Sequence, residues 1–366
     1  MYKFDKRIVI TLDAGGTNFV FGAMQSNEFI VDPITMPSNA QDLDLCLSTM
    51  VSGFEQVISK LDQKPVAISF AFPGPADYPH GIIGGYLPNF PSFRNGVALG
   101  PFLEEKFGIP VYINNDGDLF AYGEALGGIL PEINARLAEL GSSKRYSNLL
   151  GFTFGTGFGI GMVIDNNLNR GNNSCVEIFC NRHKNHTEVY VEEGVAIRAI
   201  KRVYAEKSGE IDHTFEPKDI CEIAEGTKPG NREAAIAAFE EFGEVAGDAI
   251  ATAVTLTDSL VVIGGGLTGA KKYFMPALMK QLNGVLHSIK GEEIPRMPTK
   301  AFDLDDEEQF VLFANGAARP IKVYGTERTV IYDPMKATGV AMSKLGASKA
   351  ISIGAYSFAL SMLDRK

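Results

Sequence analysis

The chain begins its patterned part with an apolar run at residues 8–12, which Asp13-Ala14-Gly15-Gly16-Thr17-Asn18 breaks before apolar character resumes from Phe19 to Met24. Both runs have strand length, and the glycine pair between them predicts a tight hairpin whose backbone can approach a ligand closely. A strand-turn-strand phosphate loop fits this pattern better than the strand-turn-helix of a dinucleotide fingerprint. Residues 43–61 place apolar side chains at helical spacing and predict a surface helix, followed by Pro65 and a strand at residues 66–70.

Phe72-Pro73-Gly74-Pro75 then reads as a turn into a Gly- and Pro-rich loop that passes Asn89 and Arg94. A short helix is expected over residues 99–107, and Val111-Tyr112-Ile113 reads as a strand that delivers Asn115 and Asp116 to its end. This alternation argues for an α/β sheet with functional loops at its edge. Residues 118–127 are expected to start the crossing from a small α/β domain, 1–118, into a larger α/β domain, 119–348. There, a strand at 149–154 runs into Gly155-Thr156-Gly157-Phe158-Gly159-Ile160-Gly161. Residues 232–254 favour a helix, and Leu260-Val261-Val262-Ile263 reads as a strand ending in Gly264-Gly265-Gly266. Residues 290–306 are polar and proline-interrupted, as in an exposed connection; 334–346 suggest a helix and 350–360 a final apolar helix. No repeat supports a solenoid, and no heptad supports a coiled coil.

Composition narrows the function classes. With 366 residues, 45% hydrophobic and 21% charged, the chain can fold throughout and is long enough to divide its core between two domains. Its formal charge is -10, and Lys and Arg are scattered, so nothing steers it toward a nucleic-acid backbone. The N-terminal residues lack the ordered regions of a secretory signal, and no apolar run of about eighteen residues is present. The expectation is a cytoplasmic protein without a membrane span. Cys46, Cys175, Cys180 and Cys221 form no compact paired motif and read as free thiols.

Candidate chemistry starts at Asp13, Gly15, Gly16 and Thr17. Backbone amides in such a turn can surround phosphate oxygens, Thr17 can donate a hydrogen bond, and Asp13 can orient a hydrated magnesium ion. A plain structural hairpin would need the glycines too. Gly155, Thr156, Gly157 and Gly159 form a second phosphate-facing candidate, and Gly264, Gly265 and Gly266 a place for adenosine or its phosphates; tight packing is the alternative at each. Asp116 can accept a proton from a hydroxyl during phosphoryl transfer, with Asn115 fixing that hydroxyl. Turn capping is the ordinary role for both. Asn89, Glu177 and Glu192 supply the directed donors and acceptors that hydroxyl groups require, although each could be a solvated loop or helix residue. Arg94 fits an exposed or paired arginine better than a phosphate ligand.

Taken in order, Asp13-Ala14-Gly15-Gly16-Thr17, Phe72-Pro73-Gly74-Pro75, Asn89, Asn115-Asp116, Gly155-Thr156-Gly157, Glu177 and Gly264-Gly265-Gly266 resemble the ROK family. This family of repressors, open reading frames and kinases belongs to the actin-like ATPase and sugar-kinase superfamily. The resemblance implies a two-domain actin-like ATPase (ribonuclease H-like) fold with an interdomain active-site cleft, the C-terminal helix 349–366 joining the small domain. It implies ATP- and Mg2+-dependent phosphorylation of a hexose or N-acetylhexosamine by a homodimer. Asp13, Gly15, Gly16 and Thr17 resemble the first phosphate loop, and Gly155 to Gly159 the second. Asn89, Asn115 and Asp116 resemble sugar-site residues, with Asp116 the general base. Glu177 is similar to the family's hydroxyl-binding glutamate, and Glu192 to a later one for which Glu188 is an alternative after a small gap.

Two departures stand out. The family pattern places His near Cys180 and follows it with a Cys-rich zinc motif, whereas here Asn181-Arg182-His183-Lys184 follow. Cys175, Cys180, His183 and His186 match no compact zinc framework, so a structural zinc is not expected. Asp118 stands where many relatives resemble Asn. The regulators of the family add an N-terminal helix-turn-helix domain, for which the segment before Asp13 leaves no room, so direct DNA binding is not expected. A sugar-sensing protein of the same fold, without catalysis, is the alternative.

Overall fold

The computed structural model of the protein describes residues 2–74, 76–210 and 214–365, so Pro75 of the expected Phe72 turn lies outside the described residues. Two compact units divide the chain: Met1–Pro131 with Ile160–Val176 and Ser343–Lys366, and Glu132–Gly159 with Glu177–Met342.

In the first unit the strands lie in the order Glu28–Phe29, Asn18–Gln25, Val9–Ala14, Ala67–Ala71, Val111–Asn114, and Ile34–Pro37 also pairs with Asn18–Gln25. The expected hairpin is antiparallel, Asp13 facing Val20, and the next two strands run parallel to the first. Side chains alternate across this sheet as the pleat requires. Ile10, Leu12, Phe19 and Phe21 enter a phenylalanine-rich core with Phe54, Phe70, Phe72 and Phe90, while Val9, Met24 and Ala67 meet Ile353, Tyr356 and Leu360 of the C-terminal helix. Helix Leu43–Ile58 covers the first of these faces, its N-terminus capped by Asp42, whose Oδ1 accepts from Leu45 N at 3.0 Å. Phe21 packs edge-on against Phe54 at 5.1 Å, and only a glycine at 53 leaves space for its ring.

Helices Asp116–Gly127 and Ala347–Asp364 approach each other backbone to backbone. A Cβ at Gly123 would stand 1.9 Å from Ala350 O, and one at Gly354 1.9 Å from Leu119 O. The Tyr356 hydroxyl is satisfied at the other face, accepting from Ser26 N at 3.0 Å and lying within reach of Asp5 O.

The second sheet runs Asn167–Leu168, Phe158–Ile164, Leu149–Phe154, Leu260–Gly264, Ala337–Met342, Lys300–Asp303. The last four strands are parallel neighbours, and the division between the units falls inside Phe158–Ile164. Near-continuous burial of Leu260–Gly264 is what a parallel strand covered on both faces requires. The helix Arg232–Thr257, longer than the expected 232–254, starts at Asn231, whose side chain accepts from Ala234 N at 3.1 Å. It packs on helix Lys271–Leu282 through Gly243 and Gly247, where a Cβ would meet Phe274 O at 2.2 Å and Leu278 O at 2.7 Å.

Two sequence expectations fail in this sheet. Residues 290–306 are not merely an exposed connection: they contain the strand Lys300–Asp303, with Ala301 and Phe302 buried. Residues 334–346 are not a helix but carry the strand Ala337–Met342. Alanine and methionine favour a helix locally, yet Gly339 sits under Leu304, where a Cβ would come within 2.4 Å of that side chain, and parallel pairing on both sides overrides propensity.

Candidate functional site

In the first unit the hairpin turn is held from below and left open above. Ser38 Oγ donates to Gly16 O at 2.5 Å and Ser38 N to Thr17 O at 2.9 Å, while Gly16 and Thr17 are exposed. A Cβ at Gly16 would press on Asn89 Cβ at 3.0 Å, so the glycine is what lets Asn89 lie against the turn. Asp13 is exposed at the end of its strand and accepts from Ser348 Oγ through Oδ2 at 2.9 Å. An accessible carboxylate beside an exposed glycine turn is the kind of place where a hard cation and a phosphate find ligands.

Asp116 reaches the same neighbourhood from another strand. Strand Val111–Asn114 ends with Asn114 fully buried, its carbonyl accepting from Phe72 N at 3.0 Å. Asn115 then caps the following helix, accepting from Gly117 N at 2.8 Å, and Asp116 is the first helical residue. The capping role weighed for Asn115 is thus filled by its Oδ1. The Asp116 side chain is exposed to solvent, yet its pKa is raised, first by desolvation from the protein crowded around it and then by the negative charge of Asp13. A hydrogen bond from its own backbone pulls the other way. Asp118 is buried, and its charge acts on the desolvated Arg170 guanidinium, which donates to Asn114 Oδ1 at 2.7 Å. The Phe72 carbonyl accepts from Tyr78 Oη at 2.9 Å, and Gly74 leaves room for that hydroxyl.

In the second unit the two glycine turns are neighbours. Gly264 pairs alongside Thr153, and Gly265, with φ +99°, lies so close to the Phe154 carbonyl that a Cβ would stand 2.3 Å from it. Both turns therefore sit at the C-terminal ends of adjacent parallel strands, where open α/β sheets take their ligands. Glycines here have distinct reasons. Gly155 and Gly266 face open space; Gly157 and Gly159 make room for Glu192 and for Thr153 Oγ1. Gly161, counted with the first unit, is needed against Gly117 O.

Arg198 organises the Gly155 turn. It donates to Thr156 O at 3.2 Å, to Glu192 Oε1 at 2.8 Å and to Glu193 Oε1 at 2.6 Å, and Ile197 N donates to Gly155 O at 2.9 Å. Tyr190 and Arg198 hold the Glu193 carboxyl below the usual carboxylate range. Glu192 is committed on both oxygens, since Oε2 accepts from Phe158 N at 2.8 Å. Glu177 and Glu188 are exposed, as is Arg94.

The expected residues thus fall into two groups: Asp13, Gly15, Gly16, Thr17, Asn89, Asn115 and Asp116 in the first unit, and Gly155, Thr156, Gly157, Gly264, Gly265, Gly266, Glu177 and Glu192 in the second. Sequence reading missed Ser38, Ser348 and Arg198, whose partners lie 22, 335 and 42 residues away. No local pattern marks them. A cavity of about 930 Å³ reaches Asp13 and Ser348 from the hairpin side, between Thr11, Gly22, Phe29 and Lys60. Another of about 980 Å³ in the second unit, bordered by Lys144, Tyr146, Asn148, Asp258 and Asp333, includes none of the expected residues.

A glucokinase from Parabacteroides distasonis superposes on this structure with a TM-score of 0.90, at 59% identity over 99% of both chains. A ROK hexokinase from Thermus thermophilus shares the fold at a TM-score of 0.67, with 18% identity over 98% of this chain and 99% of its own. The architecture is the two-domain actin-like one of sugar kinases. The chain belongs to the ROK family, whose model matches residues 9–306. Its curated relatives include a xylose repressor from Bacillus spizizenii, 30% identical over 33% of this chain, a match that spans only 28% of the repressor's own length. Among the described residues no helix is long and apolar enough to cross a membrane.

Proposed function

We propose that this protein transfers the terminal phosphoryl group of ATP to a hydroxyl of a hexose or N-acetylhexosamine. The observation that carries the reading is Asp116: an accessible carboxyl at a helix start, made more basic than usual by crowding and by Asp13. A base poised above the ordinary carboxylate range takes a hydroxyl proton more readily than a free aspartate. The 59% identical glucokinase supports the same reaction class, and an N-acetylgalactosamine kinase from Shewanella, 24% identical over 80% of this chain and 91% of its own, supports the substrate range.

In this reading Asp116 receives the sugar proton, and Asn89 and Asn115 orient the acceptor alcohol. Asp13, held by Ser348, positions the nucleotide's hydrated Mg2+, which when bound neutralises charge on the phosphates. Amides of the Gly15-Gly16-Thr17 and Gly155-Thr156-Gly157 turns counter the charge that develops during transfer, and Gly266 leaves space for adenosine. In this reading the enzyme is cytoplasmic and homodimeric. The deciding experiment is a panel of glucose, mannose, fructose and their N-acetylated relatives, assayed for stoichiometric phosphosugar with ATP. Absence of product from every sugar would overturn it.

Two substitutions probe the phosphate side. Asp13→Ala is expected to raise the Mg2+ concentration needed for half-maximal rate while sugar affinity, read by calorimetry, stays unchanged; an unaltered magnesium dependence would remove Asp13 from the site. Arg198→Ala frees the Thr156 carbonyl and removes the ion pair on Glu192 Oε1, and should raise the KM for ATP about ten-fold, equivalent to ~1.4 kcal/mol.

The repressor relatives favour a second reading, a sugar sensor of the same fold without turnover. Calorimetric sugar binding without ATP-dependent phosphosugar would select it.

A further inference from the structure

The family pattern carries a structural zinc that shapes the sugar-side loop, and the residues present here do not fit one. Cys175 and Cys180 are exposed, and Cys175 Sγ donates to Asn173 O at 3.2 Å. Among the described residues no group of three His, Cys, Asp or Glu side chains could hold a metal ion, whereas a structural zinc takes four ligands. His183 and His186, with ring centroids 4.9 Å apart, supply two donors at most.

What occupies the middle of the loop is an imidazole. Between residues 177 and 194 only Ile178, His183, Val191 and Gly194 are buried, and His183 is the polar one, 1% exposed. The backbone closes around it. His183 N donates to Val189 O at 2.8 Å, Val189 N to His186 O at 3.0 Å, Val191 N to Asn181 O at 2.6 Å, and Arg182 bridges Tyr190. His183 Nδ1 accepts from Asn185 N at 3.1 Å, which leaves the proton of the neutral ring on Nε2. That nitrogen is buried without a hydrogen-bond partner. Gly194 makes the seat: a Cβ there would stand 2.4 Å from Nε2 and 2.7 Å from Val245 Cγ1 on the long helix Arg232–Thr257. The ring is thus fixed by one hydrogen bond and by packing. Burial, then His186 and Arg202, push its pKa down against the weaker opposing pull of Glu241 and Glu193.

We propose that His183 is a positioning residue that replaces the metal: its buried neutral ring is the centre on which residues 178–194 fold, giving the segment that carries Glu188 and Glu192 a metal-independent shape. Its consequence for sugar recognition rests on the kinase reading above; the loop's independence of metal does not.

The experiment has one arm for each. Purified wild-type protein should contain well below one zinc per chain by elemental mass spectrometry. The backbone amides of Asn185, Val189 and Val191 should keep their protection from hydrogen exchange after 1,10-phenanthroline, which leaves magnesium in place. Stoichiometric zinc, or loss of protection with the chelator, would overturn the proposal without any variant having to fold. His183→Asn keeps an acceptor for the Asn185 amide but loses the ring; His183→Phe keeps the ring volume but loses the acceptor. Both should speed exchange at these three amides and raise the KM for glucose or N-acetylglucosamine about ten-fold or more, with the KM for ATP unchanged. Protection and sugar KM both unchanged in the two variants would also sink it. If the wild type phosphorylates no sugar while the amides behave as expected, the kinase reading fails and this one stands.

Discussion

Asp116→Asn should lower phosphosugar formation by about 10²–10⁴-fold, the usual contribution of a positioned general base, while sugar affinity measured by calorimetry changes little. Asparagine keeps the shape and can occupy the same first helical position, but it cannot take the proton. The raised pKa of Asp116 gives this expectation a pH signature. In the wild type the acid limb of kcat/KM should lie above the ordinary carboxylate range, because the base works only when ionised. Stability follows from the same shift. A carboxyl whose pKa is higher in the folded than in the unfolded state favours folding at pH values below the unfolded pKa, and that contribution is lost as pH rises through the folded pKa. Ionised Asp116 therefore weighs against the fold at neutral pH. The asparagine variant should have a higher Tm there, an advantage that shrinks as pH falls through the raised folded-state pKa and is gone below about 4, the unperturbed aspartate range. A folded variant with near-wild-type turnover would remove Asp116 as the base.

Gly354→Ala should be, with Gly123→Ala, among the most damaging one-atom changes outside the site. The added carbon would stand 1.9 Å from the Leu119 carbonyl, a backbone atom inside another helix, so no side-chain rotation relieves it. Overpacking typically costs 1–3 kcal/mol and more where backbone must move, so a loss of about 3 kcal/mol or more in chemical denaturation is expected. In solvent the same substitution would favour a helix by about 1 kcal/mol, so the sign itself tests the packing. A stabilised variant would show that the two helices are not in contact at these glycines.

How much was legible beforehand depends on how local the cause was. The hairpin around Asp13, the helix read at 43–61 and found at Leu43–Ile58, the helix at residues 99–107, and the strand ending before Asn115 follow from short-range pattern, and the structure shows them nearly as read. Lys300–Asp303 and Ala337–Met342 do not, because each is a short run whose strand character comes from its parallel neighbours. The same limit applies in the site. Asp116 stands out by position at a strand end. Glu192, by contrast, looks like any loop carboxylate until Phe158 N and Arg198 are seen to take both its oxygens. Glycines are ambiguous in a different way: Gly155 and Gly266 are open, whereas Gly159 and Gly161 serve close packing, and the letters alone do not separate the two uses.

The helix that completes the first unit is made last. Val9, Met24 and Ala67 present apolar side chains to Ile353, Tyr356 and Leu360, so a ribosome that has already released the N-terminal strands must translate nearly three hundred further residues before their cover exists. The second unit's stretch Glu177–Met342 emerges whole in the meantime. Vectorial synthesis therefore favours the later unit maturing first, with the earlier strands left exposed to chaperones or to aggregation until the final helix arrives.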